Sequence, residues 1–133
     1  MIKVEHIGIA VHNLETSNAL FARLFGTGPY KYEAVGSEHV KTSFFQVGET
    51  KIELLEATDP ESPIAKFLAK KGEGMHHIAF EVQDIGAEMD RLKAEGFVLL
   101  NESPKPGADN KLVCFLHPKS THGVLVELCQ EIR

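Results

Sequence analysis

The sequence predicts an α+β protein made of two copies of one β-α-β-β-β module. Three observations carry this. The run Val4–Val11 (VEHIGIAV) and the run Met75–Val82 (MHHIAFEV) match as histidine-opened stretches of β-formers. Each leads through Asn13 or Asp84 into an amphipathic segment that stops at Gly26 or Gly96. Each is then followed by further strand-like runs, the last of which carries a glutamate among apolar neighbours, Glu53 or Glu127.

The elements follow in order. Residues 14–24 and 85–95 have helical spacing, with Leu20, Leu24 and Phe25 on one face of the first and Ile85, Met89 and Leu92 on one face of the second. Asn13 and Asp84 suit the N-cap, where a short side-chain oxygen accepts from an orphan backbone N–H. Strand patterns cover 30–35, 40–47 and 50–56 in the first module and 97–101, 111–117 and 123–130 in the second. Val47-Gly48-Glu49-Thr50 reads as the turn of a hairpin. The modules span about 1–57 and 75–133 of a single domain, joined by a connector over 58–74. Within the connector, residues 64–70 form a short amphipathic helix between Pro63 and Gly72.

The totals bound the function. A chain of 133 residues is one ordinary domain, with 43% hydrophobic and 25% charged residues as in a globular protein. A formal charge of -5 argues against nucleic acid as partner. Lys105, Lys111 and Lys119 could still form a local basic patch for an anionic substrate. No apolar run approaches the roughly 20 residues needed to span a bilayer, so no membrane partner is expected. The N-terminus lacks a signal-peptide pattern, and Cys114 and Cys129 read as buried reduced thiols, which together suit the cytoplasm.

The repeat singles out four side chains. His6 and His77 occupy equivalent places in the first strands, and Glu53 and Glu127 in the last. A carboxylate inside an apolar strand either turns outward to solvent or is paired or coordinated. If the two half-sheets face one cavity, the four converge, and imidazole nitrogens with carboxylate oxygens suit a divalent first-row metal or zinc. His76 competes with His77, but strand neighbours point to opposite faces and alignment on His6 selects His77. His12, His39, His117 and His122 have weaker claims. His117 and His122 flank a polar turn and read as solvated or as substrate contacts. The loop 105–111 has no phosphate-binding pattern, and no nucleophile-base arrangement points to covalent catalysis.

These residues resemble the vicinal oxygen chelate superfamily and, within it, the methylmalonyl-CoA epimerase family. The resemblance covers nearly the whole chain. Its most particular parts are the Pro63–Leu68 helix before the paired histidines and the His117-Pro118-Lys119 turn followed by Gly123–Leu128. It implies an eight-stranded, incompletely closed cavity around a metal. The ligands would be His6, Glu53, His77 and Glu127, and the ion Co2+, with Zn2+, Mn2+ or Ni2+ as substitutes. It implies interconversion of (2R)- and (2S)-methylmalonyl-CoA through an enolate, in a homodimer. Glu127 and Glu53 would be both ligands and acid/base groups. Some members carry a glutamate where this chain has Thr42, so that base is missing here. Lys66, Lys105, Lys111 and Lys119 are candidates for the coenzyme A phosphates.

Two other readings share the fold. One is a glyoxalase-like isomerase, lyase or ring-cleaving dioxygenase. A dioxygenase uses two histidines and one carboxylate, and a fourth ligand at Glu53 argues against it. The other is a binding protein without turnover, which loss of the metal ligands would favour. All four are present.

Overall fold

The computed structural model describes residues 1–132, so only the last position of the second module lies outside them. Element order bears out the two β-α-β-β-β modules. The strands are β1 (Lys3–Ala10), β2 (Lys31–Val35), β3 (Val40–Val47) and β4 (Thr50–Ala57), then β5 (Gly74–Glu81), β6 (Lys105–Gly107), β7 (Lys111–Leu116) and β8 (Val126–Glu131). The helices are α1 (Leu14–Phe25), α2 (Pro63–Lys71) and α3 (Ile85–Ala94).

The chain forms two compact units, His6–His76 and Met1–Glu5 with His77–Arg133. The division differs from the sequence boundaries in two respects: the connector and residues 75–76 fall in the first unit, and the N-terminus falls in the second. The first five residues join the second module, where the Ile2 N–H donates to the Glu81 carbonyl at 2.8 Å.

In the His6–His76 unit the strand order is β2-β3-β4-β1. β1 and β4 are parallel, and the other pairs are antiparallel. The β3–β4 hairpin closes through Gly48 and Glu49, with Val47 opposite Thr50 and Gly48 at φ 60°. A positive φ at the first central position of a two-residue turn is where glycine is favoured. Helix α1 covers one sheet face, where Val11, Leu14, Phe45 and Leu54 are buried with Phe21 and Phe25 packed against them. This corrects part of the face expected from sequence: Phe25 packs as expected, with Phe21 rather than with the two leucines. Leu20 and Leu24 are exposed, because the two phenylalanines set the helix phase and bury the larger apolar area. Helix α2 packs on the other side, against Ala10, Val40 and Leu55.

In the second unit the order is β1-β5-β8-β7-β6, with only the start of β1 belonging to the unit. Helix α3 covers the face bearing Val82, Cys114, Leu116, Val126 and Leu128. The strand expected over 97–101 is not a strand; Leu99 makes one isolated bridge to Leu116. The edge position belongs to β6, which pairs with β7. Phe97 and Leu99 pack instead against the core beneath α3. The last strand begins at Val126, later than expected, because 118–123 is held as a turn by bonds to the Pro118 carbonyl from Thr121 and Gly123.

The caps at Asn13 and Asp84 are as the sequence indicates, and Ser62 adds a third on α2. Asn13 accepts from the Thr16 N–H, Asp84 from the Ala87 N–H and Ser62 from the Ile64 N–H. Both cysteines are unpaired and buried.

Candidate metal centre

Each unit builds one histidine-carboxylate pair, and builds it the same way. In the first, β1 runs parallel to β4 with Gly8 opposite Glu53. In the second, β5 runs parallel to β8 with Ala79 opposite Glu127. The histidine stands two residues before that small residue in both cases, hence on the same face. Glycine and alanine leave the space above them open, so each carboxylate can reach back toward the ring.

The pairs have the same length. His6 Nδ1 lies 3.2 Å from Glu53 Oε2. His77 Nε2 lies 3.2 Å from Glu127 Oε1. All four residues are buried, at 4 to 8% exposure. Each glutamate alternates onto the face opposite the helix that follows the first strand. The outward, solvated reading of the two carboxylates therefore fails. At this burial an ionised carboxylate needs a partner.

A 3.2 Å separation suits two ligands of one ion. Donors each about 2.1 Å from a metal at near-tetrahedral angles sit roughly 3.4 Å apart. It also suits a hydrogen bond, so distance alone does not choose. The donor set, nitrogen and carboxylate oxygen on both pairs, fits a divalent first-row ion or zinc.

The neighbouring histidine goes elsewhere. The His76 ring meets Phe67 of α2 edge-on at 5.0 Å. His77 meets Phe115, the cross-strand partner of Glu127, at 6.0 Å. The other sequence candidates are dispersed. His39 pairs with Asp59 at 3.2 Å. His117 is not a loose loop residue, since its Nδ1 accepts from the Lys119 N–H at 3.0 Å.

The lysine candidates differ in kind. Lys66 and Lys119 are exposed. Lys105 Nζ lies 6.0 Å from the Phe115 ring centre. Lys111 is buried, with Nζ 3.6 Å from Asp109 and 3.9 Å from Glu131.

Sequence reasoning missed the supports of the glutamate strands. Glu56 Oε1 accepts from the Leu14 N–H at 2.6 Å, and Gln130 Oε1 from the Ile85 N–H at 2.8 Å. Both follow their glutamate by three residues, so the repeat held the signal.

Burial raises the Cys114 thiol above its usual range. Burial, then the nearby Glu127 and Glu5 charges, does the same to Cys129. Neither thiol is a nucleophile in this environment.

The chain is similar to known proteins. The sequence model of the Glyoxalase/Bleomycin resistance protein/Dioxygenase superfamily matches residues 5–115. An ethylmalonyl-CoA/methylmalonyl-CoA epimerase of Cereibacter sphaeroides is 43% identical, covering 96% of this chain and 97% of that protein. The human mitochondrial methylmalonyl-CoA epimerase is 42% identical, over 96% of this chain and 73% of that protein. A Streptomyces coelicolor methylmalonyl-CoA epimerase variant, solved with 2-nitronate-propionyl-CoA, superposes with a TM-score of 0.94 at 33% identity, over 98% of this chain and 95% of the other. The chain belongs to the Glyoxalase/Bleomycin resistance protein/Dioxygenase superfamily and, within it, to the methylmalonyl-CoA epimerase family.

Proposed function

We infer that this chain epimerises methylmalonyl-CoA at its α-carbon, with His6, Glu53, His77 and Glu127 sharing one divalent ion. The carrying observation is the repetition of a buried histidine-glutamate pair, at the same length and register, in both modules. Structural hydrogen bonds also recur between the modules, as Glu56 and Gln130 show; what favours a shared ion is the donor set, a buried imidazole nitrogen with a buried carboxylate oxygen in both pairs. Family membership supports the substrate class, an acyl-CoA thioester.

When bound, a divalent ion supplies Lewis-acid stabilisation of the negative oxygen that forms as an α-proton leaves a thioester. The protein side chains do the rest. Glu127 and Glu53 are the carboxylates that flank the reacting carbon, and Glu127 is the base for one face. Phe115, beside Glu127 and His77, walls the site and limits water. The second face needs a second proton carrier. It falls to Glu53.

We take Co2+ as the resident ion, with Zn2+, Mn2+ and Ni2+ as substitutes, and a homodimer as the assembly. Both follow from the family resemblance. No helix among the described residues is long and apolar enough to cross a membrane. The unpaired thiols suit a reducing compartment and support the cytoplasmic reading.

The test is α-proton exchange. The protein, loaded with cobalt, is mixed with methylmalonyl-CoA in deuterated water and followed by NMR. Loss of the α-proton signal with formation of the other epimer is expected. No exchange with metal bound would overturn the reading.

A further inference from the structure

A malonyl thioester of coenzyme A has two anionic ends. One is the free carboxylate beside the α-carbon; the other is the phosphates at the far end of the coenzyme. Resting on the epimerase reading, we propose that the Lys105 ammonium binds the free carboxylate, and so selects 2-alkylmalonyl thioesters over plain acyl thioesters.

Strand register within the second unit locates it. Phe115 lies opposite Glu127, and Glu127 opposite Ala79. One rung along, Lys105 lies opposite Val113, and Val113 opposite Cys129. Residues on a rung share a face, so Lys105 stands on the face that carries His77 and Glu127. Its side chain reaches the neighbouring rung, where Nζ lies 6.0 Å from the centre of the Phe115 ring. The His77 ring meets the same phenylalanine at 6.0 Å. Two 6.0 Å contacts to one ring put the ammonium at most about 12 Å from the His77 ring centre. An acyl group and its thioester span such a gap. The phosphates lie a whole pantetheine arm further on, so a lysine this near His77 serves the acyl end.

The surroundings strengthen the contact. Ala79, Val113 and Cys129 are buried and pack with Phe115 as an apolar floor. Phe115 itself is half-buried, so part of the ring is open to a ligand. An ion pair made over such a floor is screened less than one in water. Strand β6 has only three residues, yet it is pressed against β7 at Gly107, where a Cβ would stand 2.9 Å from Val113 Cγ1. That close approach keeps Lys105 beside the phenylalanine. Lys111 is the poorer candidate by position. It lies opposite Glu131, two rungs from Glu127, with its ammonium 3.6 Å from Asp109.

Calorimetric binding to the metal-loaded protein tests this. Methylmalonyl-CoA is compared with propionyl-CoA, which has the same thioester and phosphates but no free carboxylate. Lys105→Met should weaken methylmalonyl-CoA by about tenfold or more, as for a lost hydrogen bond between charged groups. Propionyl-CoA should change by less than about twofold, since it makes no such bond. Lys105→Arg keeps the charge and should hold both ligands within about threefold of wild type. In turnover, KM should rise in Lys105→Met with kcat little changed, because the carboxylate stays bound throughout.

Equal weakening of both ligands would overturn the proposal and give Lys105 to the phosphates. Unchanged binding of methylmalonyl-CoA would overturn it too. So would a collapse of kcat at unchanged KM, the sign of a proton carrier. If Lys105→Met fails to fold, Lys105→Gln takes its place in the same comparison. Wild type that neither epimerises nor exchanges the α-proton overturns the epimerase reading itself. Wild-type turnover with an indifferent Lys105 variant overturns only this proposal.

Discussion

The Gln130 side chain holds the first turn of a helix: its Oε1 accepts from the Ile85 backbone N–H at 2.8 Å. Ile85 opens α3, where backbone N–H groups have no partner within the helix. Gln130 lies on β8, three residues past Glu127. One strand therefore presents the glutamate on one face and anchors the helix with the other. Glu56 does the same for Leu14 from β4.

Gln130→Ala should cost about 1 to 3 kcal/mol in urea unfolding, because it leaves that N–H unsatisfied. Gln130→Glu keeps the acceptor and should cost less. Equal losses in the two variants would show that the bond contributes nothing.

Replacing His77 by alanine should lower divalent metal stoichiometry and activity together, measured by elemental analysis on the dialysed protein. His76→Ala should leave metal content intact, since that ring packs on Phe67 instead. Reversed results would move the ligand by one residue and shift the strand face.

Stripping the metal with a chelator should lower the melting temperature, and adding back Co2+ should restore it. A ligand that binds only the folded chain stabilises it by mass action. A melting point indifferent to the ion would argue that the two histidine-glutamate pairs do not share one.

Folding keeps both thiols protonated past the pH at which they ionise in the unfolded chain, near their ordinary value of 9.0. Above about pH 9 the unfolded state therefore loses protons that the folded state keeps, and stability falls as pH rises. The urea midpoint should drop between pH 8 and pH 10, and Cys114→Ala should flatten part of that slope. A thiol reagent should label neither cysteine until the protein unfolds. Rapid labelling of the native protein would contradict the burial.

Gly107→Ala should destabilise. A Cβ there would meet Val113 Cγ1 at 2.9 Å and Cγ2 at 3.0 Å. Val113 is buried and stiff at χ1, so about 1 to 3 kcal/mol is expected. Val113→Ala in the same chain should recover part of it, as a thermal melt of the double variant would reveal.

Much was legible in the chain itself. Period-2 and period-3.6 patterns are local, so the first strands, the helices and the β3–β4 hairpin could be placed. The repeat picked out His6, His77, Glu53 and Glu127 as equivalent pairs. N-caps at Asn13 and Asp84 depend only on near neighbours. The motifs shared with the epimerase family supplied a substrate class.

Tertiary structure decided the rest, because packing and register are non-local. Leu20 and Leu24 satisfy a helical spacing as well as Phe21 and Phe25 do, and only the sheet beneath α1 chose the phenylalanines. Residues 97–101 have strand character, yet the edge of β7 went to 105–107. Whether Glu53 and Glu127 faced solvent or a histidine was open until the β1–β4 and β5–β8 registers set Gly8 and Ala79 opposite them.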